Sequence, residues 1–214
     1  MSPPATPRSV PEVWYVSYGS NMSAQRLRAY LSGGLPPGGS RQHPGARDPR
    51  PPRQSIPVDL PGAVYFAGDS PQWGGGVAFY DHTTTGPTAA RGYLVTAAQF
   101  ADILAQELHR IPEPGDPIEE LVVAGVDGRH QLGRGRYETL LEVGHYDDRP
   151  MLTFTAPHGI DGVEHTSPSA AYLATLRVGL REARGWDVER IAGYFAGLGV
   201  THVPPRVAGA AEAH

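Results

Sequence analysis

Tyr18, Gly19, Ser20 and Asn21 close an apolar run near the N-terminus, and their types suit them to hold a negative charge. In a tight turn that leads into a helix, successive backbone N–H groups form a small electropositive concavity. Gly19 lets a ligand approach the backbone, Ser20 and Asn21 add side-chain hydrogen bonds, and Tyr18 offers a wall with a polar tip. Such a nest fits a carboxylate or a developing oxyanion. The same residue types serve an ordinary strand-to-helix turn, so both readings stand at this point. The candidate proton carriers are the carboxylates Asp102, Glu107, Glu119, Glu120, Glu138 and Glu142, which the residues alone do not rank. Ile103 and Leu104 precede Glu107 by one helical turn, and burial on that face would raise its pKa into the range useful for acid–base work. Read alone, Glu107 is also a surface carboxylate near a helix end, where it opposes the macrodipole. Glu138 and Glu142 alternate in a strand pattern and read as solvated.

Other chemistries find less support. Cysteine is absent, which removes disulfides, thiolate metal sites and cysteine nucleophiles. The histidines are scattered with no i, i+4 pair in an expected helix, so no metal site is expected. Ser20 lacks the Gly-x-Ser-x-Gly elbow of a serine hydrolase. Gly19 lacks the companions of a dinucleotide-binding loop.

The elements that must position these residues follow from periodicity. Val13–Ser17 reads as a strand, and the segment from Ser23 to Leu31 as a helix with Ser23 at its N-cap. From 32 to 60 the chain is dense in Pro, Gly and Arg and reads as a long loop, whose arginines could meet an anion or simply face solvent. Strands are expected at 62–68, 75–81 and 90–96. An amphipathic helix should follow from about 97 to 109, carrying Phe100, Ile103, Leu104 and Leu108 on one stripe. The segment after Pro117 is ambiguous between helix and strand. Further strands are expected at 137–143 and 150–156, then helices at 169–183 and 187–195, separated by Gly185.

Strands clustered in the first two thirds and a helical pair at the end favour an α+β fold over regular βαβ units. The chain has 214 residues, enough for one domain (13–200), with a flexible N-terminus at 1–12 and a tail at 201–214. Its formal net charge of −4 argues against a nucleic-acid partner held by phosphate neutralisation. No window approaches the ~20 apolar residues of a membrane span, and no leader is evident, so a cytoplasmic protein is the default. The oligomeric state cannot be read from the sequence.

Four stretches resemble a known family in the same order. "YGSNM" after the first strand is similar to the Tyr-Gly-Ser-Asn-Leu signature of the γ-glutamyl cyclotransferases. "WGGGVAFY" (73–80) resembles that family's Trp-x-Gly-Gly-x-Ala strand, and "GYLVTAAQFADILAQE" (92–107) its strand-to-helix segment ending in an acidic residue. "PSAAYLATLRVGLREARG" (168–185) resembles its Pro-Ser-x-x-Tyr helix opening. The resemblance implies a mixed, barrel-like sheet with flanking helices and a cofactor-independent enzyme. Such an enzyme cyclises a γ-glutamyl amide to 5-oxoproline and releases a free amine. It implies further that Ser17, Tyr18, Gly19, Ser20 and Asn21 bind the glutamyl moiety, that Glu107 is the general base and acid, and that Tyr172 touches the substrate. Met22 replaces the family's Leu, and the segments at 32–60 and 112–135 are longer than expected. A binding protein of the same fold that does not catalyse, and an amide hydrolase, are the alternatives.

Overall fold

In a computed structural model, the structure describes residues 11–36 and 39–200. Most of the expected N-terminal segment 1–12, and the whole tail 201–214, lie outside the described residues.

The first strand organises the molecule. β1 (Glu12–Ser17) pairs antiparallel with β5 (Pro87–Thr96) on one side and parallel with β8 (Arg149–Thr155) on the other. Beyond them, β2 (Gln54–Pro61) flanks β5, while β7 (Thr139–Tyr146) and β6 (Arg129–Gln131) extend the sheet past β8. The six strands thus run β2-β5-β1-β8-β7-β6, and a separate hairpin pairs β3 (Ala63–Ala67) with β4 (Val77–Asp81). The fold is α+β with a mixed sheet, as expected, but the sheet is open and not closed into a barrel: β2 and β6 form its two edges.

The centre of β1, Val13–Val16, is an unbroken run of apolar and aromatic residues because both its faces are covered. Its alternate side chains divide between two cores. Trp14 and Val16 point to the β3–β4 hairpin and to α4 (Ala170–Arg184) and α5 (Val188–Gly197). Val13 and Tyr15 point to α1 (Ala24–Ser32), α2 (Ala97–Glu107) and α3 (Pro117–Ala124). Trp14 is fully buried.

Two expectations about the connections change. The stretch 32–60 is not loop throughout, since its last part is β2, which runs in register with β5 from Gln54↔Leu94 to Pro61↔Pro87. Pro57 and Pro61 hide this strand from sequence reading, but an edge strand tolerates proline because one side needs no donors. The rest of that stretch is tied down by Arg47, whose backbone N–H and side chain both donate to the buried carboxylate of Asp102 on α2. Arg47 also pairs with Glu119 at 2.6 Å, linking α2 to α3. The ambiguous segment after Pro117 contains both types, α3 and then the short β6.

Candidate functional site

α2 begins with a reciprocal cap: the Thr96 side chain accepts from Gln99 N–H, and the Gln99 side chain accepts from Thr96 N–H. It ends two residues earlier than expected, because His109 adopts a left-handed backbone (φ 61°) and turns the chain away. Glu107 is therefore the last helical residue, at the C-terminal end of α2.

The chain leaving β1 delivers the other half of the site. Tyr18 stays on the apolar side of the sheet, its hydroxyl donating to the Phe154 carbonyl at 2.8 Å. Its tip is committed to the core, so it offers the cavity backbone and ring surface instead of a free hydroxyl. Ser20–Met22 then form one turn of 3-10 helix, and α1 starts behind Ser23. Ser23 sits at the expected N-cap, but its side chain makes no capping hydrogen bond; the Ala24 N–H donates to Glu182 on α4 at 2.7 Å instead.

This turn and the end of α2 meet. Asn21 Nδ2 donates to Glu107 Oε1 at 3.2 Å and to the Tyr15 hydroxyl at 3.2 Å. Burial raises the Glu107 pKa above the ordinary glutamate value, while hydrogen bonds from Tyr30 and Asn21 and the fields of Arg26 and Arg41 oppose the rise. Because burial prevails, the carboxyl holds its proton more tightly than a solvated glutamate would. Its position at a helix C-terminus acts in the same direction.

Tyr172, on the first turn of α4, closes the site from a third side. Its hydroxyl accepts from Ala78 N–H at 3.1 Å, leaving its own hydrogen to donate. Burial pushes its pKa up to about 12, so it remains a neutral phenol. A Cβ at Gly19 would lie 3.4 Å from that hydroxyl, in the space a ligand needs to reach the turn. α4 can approach the turn because Gly179 has no side chain: a Cβ there would stand 2.5 Å from Met22 Cβ and 2.9 Å from the Met22 carbonyl carbon.

The structure thus brings Ser17, Tyr18, Gly19, Ser20, Asn21, Glu107 and Tyr172 to the wall of one cavity of about 580 Å³. That volume falls within the range of small-molecule sites. Among the competing carboxylates, Asp102 is taken up by Arg47. Glu138, read from sequence as solvated, lines the cavity mouth and accepts from the Gly135 N–H.

Further residues line the cavity, and of these Arg26 gave no sequence signal. Arg26 looked like one more charge on α1, yet it is only 4% exposed. Its Nε donates to Ser20 Oγ at 2.8 Å, and its guanidinium carbon lies 4.8 Å from the Trp73 ring centroid. Trp73 itself is buried against Tyr172, with ring centroids 5.1 Å apart. Of the arginines between 32 and 60, Arg41 alone lines the cavity, where it contacts His109. Arg47, Arg50 and Arg53 instead pair with protein carboxylates. His43, from the same stretch, is buried against Tyr30, and this holds its pKa down to about 4. Its ring is therefore neutral. Among the described residues no group of His, Asp or Glu is placed to hold a metal ion, and no helix is long and apolar enough to cross a membrane.

No protein-family model matches the sequence. A curated relative, histone deacetylase 5 of Arabidopsis thaliana, is 30% identical over 201 residues. That match takes in 86% of this chain, which spans about 30% of the length of the relative. Among solved structures, a γ-glutamyl cyclotransferase superposes with a TM-score of 0.51 at 14% identity, covering 94% of both chains. An uncharacterized protein from Homo sapiens does so with a TM-score of 0.51 at 13% identity, also over 94% of both. At these identities the likeness is one of fold: the chain has the fold of γ-glutamyl cyclotransferase.

Proposed function

We propose that the protein is a cyclising enzyme that converts a γ-glutamyl amide to 5-oxoproline and a free amine. The observation that carries this reading is the Asn21–Glu107 hydrogen bond. It joins the anion-cradling turn to a carboxyl of raised pKa inside one cavity.

The chemistry asks for little beyond these groups. The α-amino group of the substrate attacks its own γ-carbonyl carbon, forming the ring C–N bond and a tetrahedral oxyanion. Glu107, ionised, takes the ammonium proton before or during attack. Glu107 hands that proton to the amide nitrogen and takes the second proton from the ring nitrogen. The oxyanion collapses, the amide C–N bond breaks, and Glu107 returns this proton to the departing amine, which leaves as an ammonium. Proton balance closes on one carboxyl. N–H groups of the Tyr18–Asn21 turn and the Tyr172 hydroxyl are the donors for the negative centres; one well-placed donor typically contributes ~2.7–4 kcal/mol. Folding the glutamyl chain back so that amine and carbonyl meet draws on the advantage of intramolecular reaction. The substrate is a small molecule, and neither a cofactor nor a nucleic acid is needed.

The deacetylase name belongs to a much longer protein of which this chain matches 30%, and it assigns no activity here. A serine hydrolase at the same site is disfavoured because Ser20 Oγ accepts from Arg26 Nε. Among the described residues no histidine hydrogen-bonds that hydroxyl.

The test is product analysis by mass spectrometry on a panel of γ-glutamyl amino acids, peptides and γ-glutamylated amines. Wild type should release 5-oxoproline, and Glu107→Gln should lose ~10²–10⁴ of the rate, the usual contribution of a general acid–base group. Release of glutamate in place of 5-oxoproline would point to the hydrolase. Absence of turnover, with heat stabilisation by a γ-glutamyl compound, would point to a binding protein.

A further inference from the structure

We infer that Arg26 is the residue that selects the free α-carboxylate of the substrate, an inference that rests on the cyclotransferase reading of the same cavity. Arg26 is the most deeply buried arginine among the described residues, at 4% exposure. Three partly buried guanidinium groups of this protein have carboxylate partners, Arg47 with Asp102, Arg91 with Glu182 and Arg184 with Asp59; Arg41 and Arg177, less buried than Arg26, have no ion pair among the described residues. Arg26 has no ion pair among the described residues. Its Nε is spent on Ser20 Oγ, and its Nη1 is buried with no hydrogen-bond partner. A cation taken out of water and left unpaired is costly, and an anion in the cavity would relieve that cost.

The surroundings define the anion. Trp73 lies against the guanidinium at 4.8 Å from ring centroid to central carbon, and Tyr30 at 5.8 Å. The rings offer the cation no hydrogen-bond acceptor of their own, and the unpartnered Nη1 belongs to a fork of N–H donors that matches a planar carboxylate.

Position then fixes the orientation of the substrate. Ser20 accepts from Arg26, and Asn21, the next residue, donates to Glu107. Two consecutive residues of one turn thus hold the cation and the base side by side. In a γ-glutamyl compound the carboxylate and the amine are attached to the same α-carbon. Placing the carboxylate on Arg26 turns the amine toward Glu107, which must take its proton. A substrate without that carboxylate loses both the ion pair and the alignment.

The experiment compares a γ-glutamyl amide with the 4-aminobutyryl amide of the same amine, which cyclises to 2-pyrrolidinone and differs only by the carboxylate. Wild type should favour the γ-glutamyl compound by about 10- to 100-fold in kcat/KM, the range of a charge-assisted hydrogen bond. Arg26→Gln should bring the kcat/KM ratio of the two amides to within about threefold of one, whatever loss both share from the changed field at Glu107; Arg26→Lys should keep part of the preference. A folded Arg26→Gln with the preference intact overturns the inference and leaves the cyclotransferase reading standing. Binding decides the matter without turnover: calorimetry of wild type with 5-oxoproline and with 2-pyrrolidinone should show the carboxylate-bearing ring bound more tightly by a similar factor. Equal affinity overturns the inference even if no Arg26 variant folds. If wild type makes no 5-oxoproline from any γ-glutamyl amide, the cyclotransferase reading fails. Tighter binding of 5-oxoproline that Arg26→Gln abolishes would then still uphold a carboxylate site at Arg26.

Discussion

Replacing Asn21 with Ala should move the acid limb of the pH–rate profile upward by about one pH unit. Asn21 Nδ2 has two hydrogens and two acceptors, Glu107 Oε1 and the Tyr15 hydroxyl, each at 3.2 Å. The bond to Glu107 favours the ionised carboxylate, and its loss lets burial raise the pKa further. A hydrogen bond to a charged group contributes about 1.5–3 kcal/mol. At 3.2 Å, and beside a cavity where water can replace part of the lost contact, the lower end applies. One pH unit corresponds to ~1.36 kcal/mol, which gives the expected displacement. The assay is kcat/KM for 5-oxoproline formation across the acid and neutral range. There the rate needs ionised Glu107 and so falls as pH drops through its pKa. The calculation requires that the limb belong to Glu107, so Glu107→Gln must abolish it. Asn21→Asp should displace it in the same direction and further, since a second carboxylate would then face the first. A folded Asn21→Ala enzyme whose limb stays put, or moves to lower pH, would refute the reasoning.

Three other outcomes follow from the same geometry. The folded-state pKa of Glu107 is raised, so ionising it costs stability as pH climbs above the unfolded glutamate value; Glu107→Gln should therefore melt higher than wild type at neutral pH, with the gap closing in acid, as scanning calorimetry would show. Gly179→Ala should destabilise by about 1–3 kcal/mol and lower activity with it, because the new methyl group strikes Met22 and pushes α4 off the substrate turn; chemical denaturation and steady-state rates measure the two effects. Tyr172→Phe leaves the buried Ala78 N–H without its acceptor at a cost of about 1–3 kcal/mol, and also removes a donor from the cavity, so both melting temperature and kcat should fall.

Much of the fold was legible in the sequence because its signals are local. The apolar run of β1, the stripe of α2 and the glycine stop at Gly185 each report the environment of a few neighbouring residues. The turn Tyr18–Asn21 was legible for the same reason, since a stretch rich in Gly, Ser and Asn states its backbone requirements directly, whereas Ser17 joined it through a resemblance to a family. Glu107 and Tyr172 entered through a resemblance to a family, and the structure places them beside that turn in one cavity. β2 was missed because prolines mask an edge strand that only its pairing with β5 makes visible.

What the tertiary structure alone decided is the state of the charges. Arg26 and Arg28 are two residues apart on α1, and no local rule tells them apart; the first is buried and the second exposed because of what packs against that helix. Glu107 has a raised pKa because distant segments bury it, with Asn21 86 positions away opposing them through a single hydrogen bond. A sequence lists which groups can ionise. Their desolvation and their partners depend on contacts between residues far apart along the chain, and those are fixed only when the two cores close around β1.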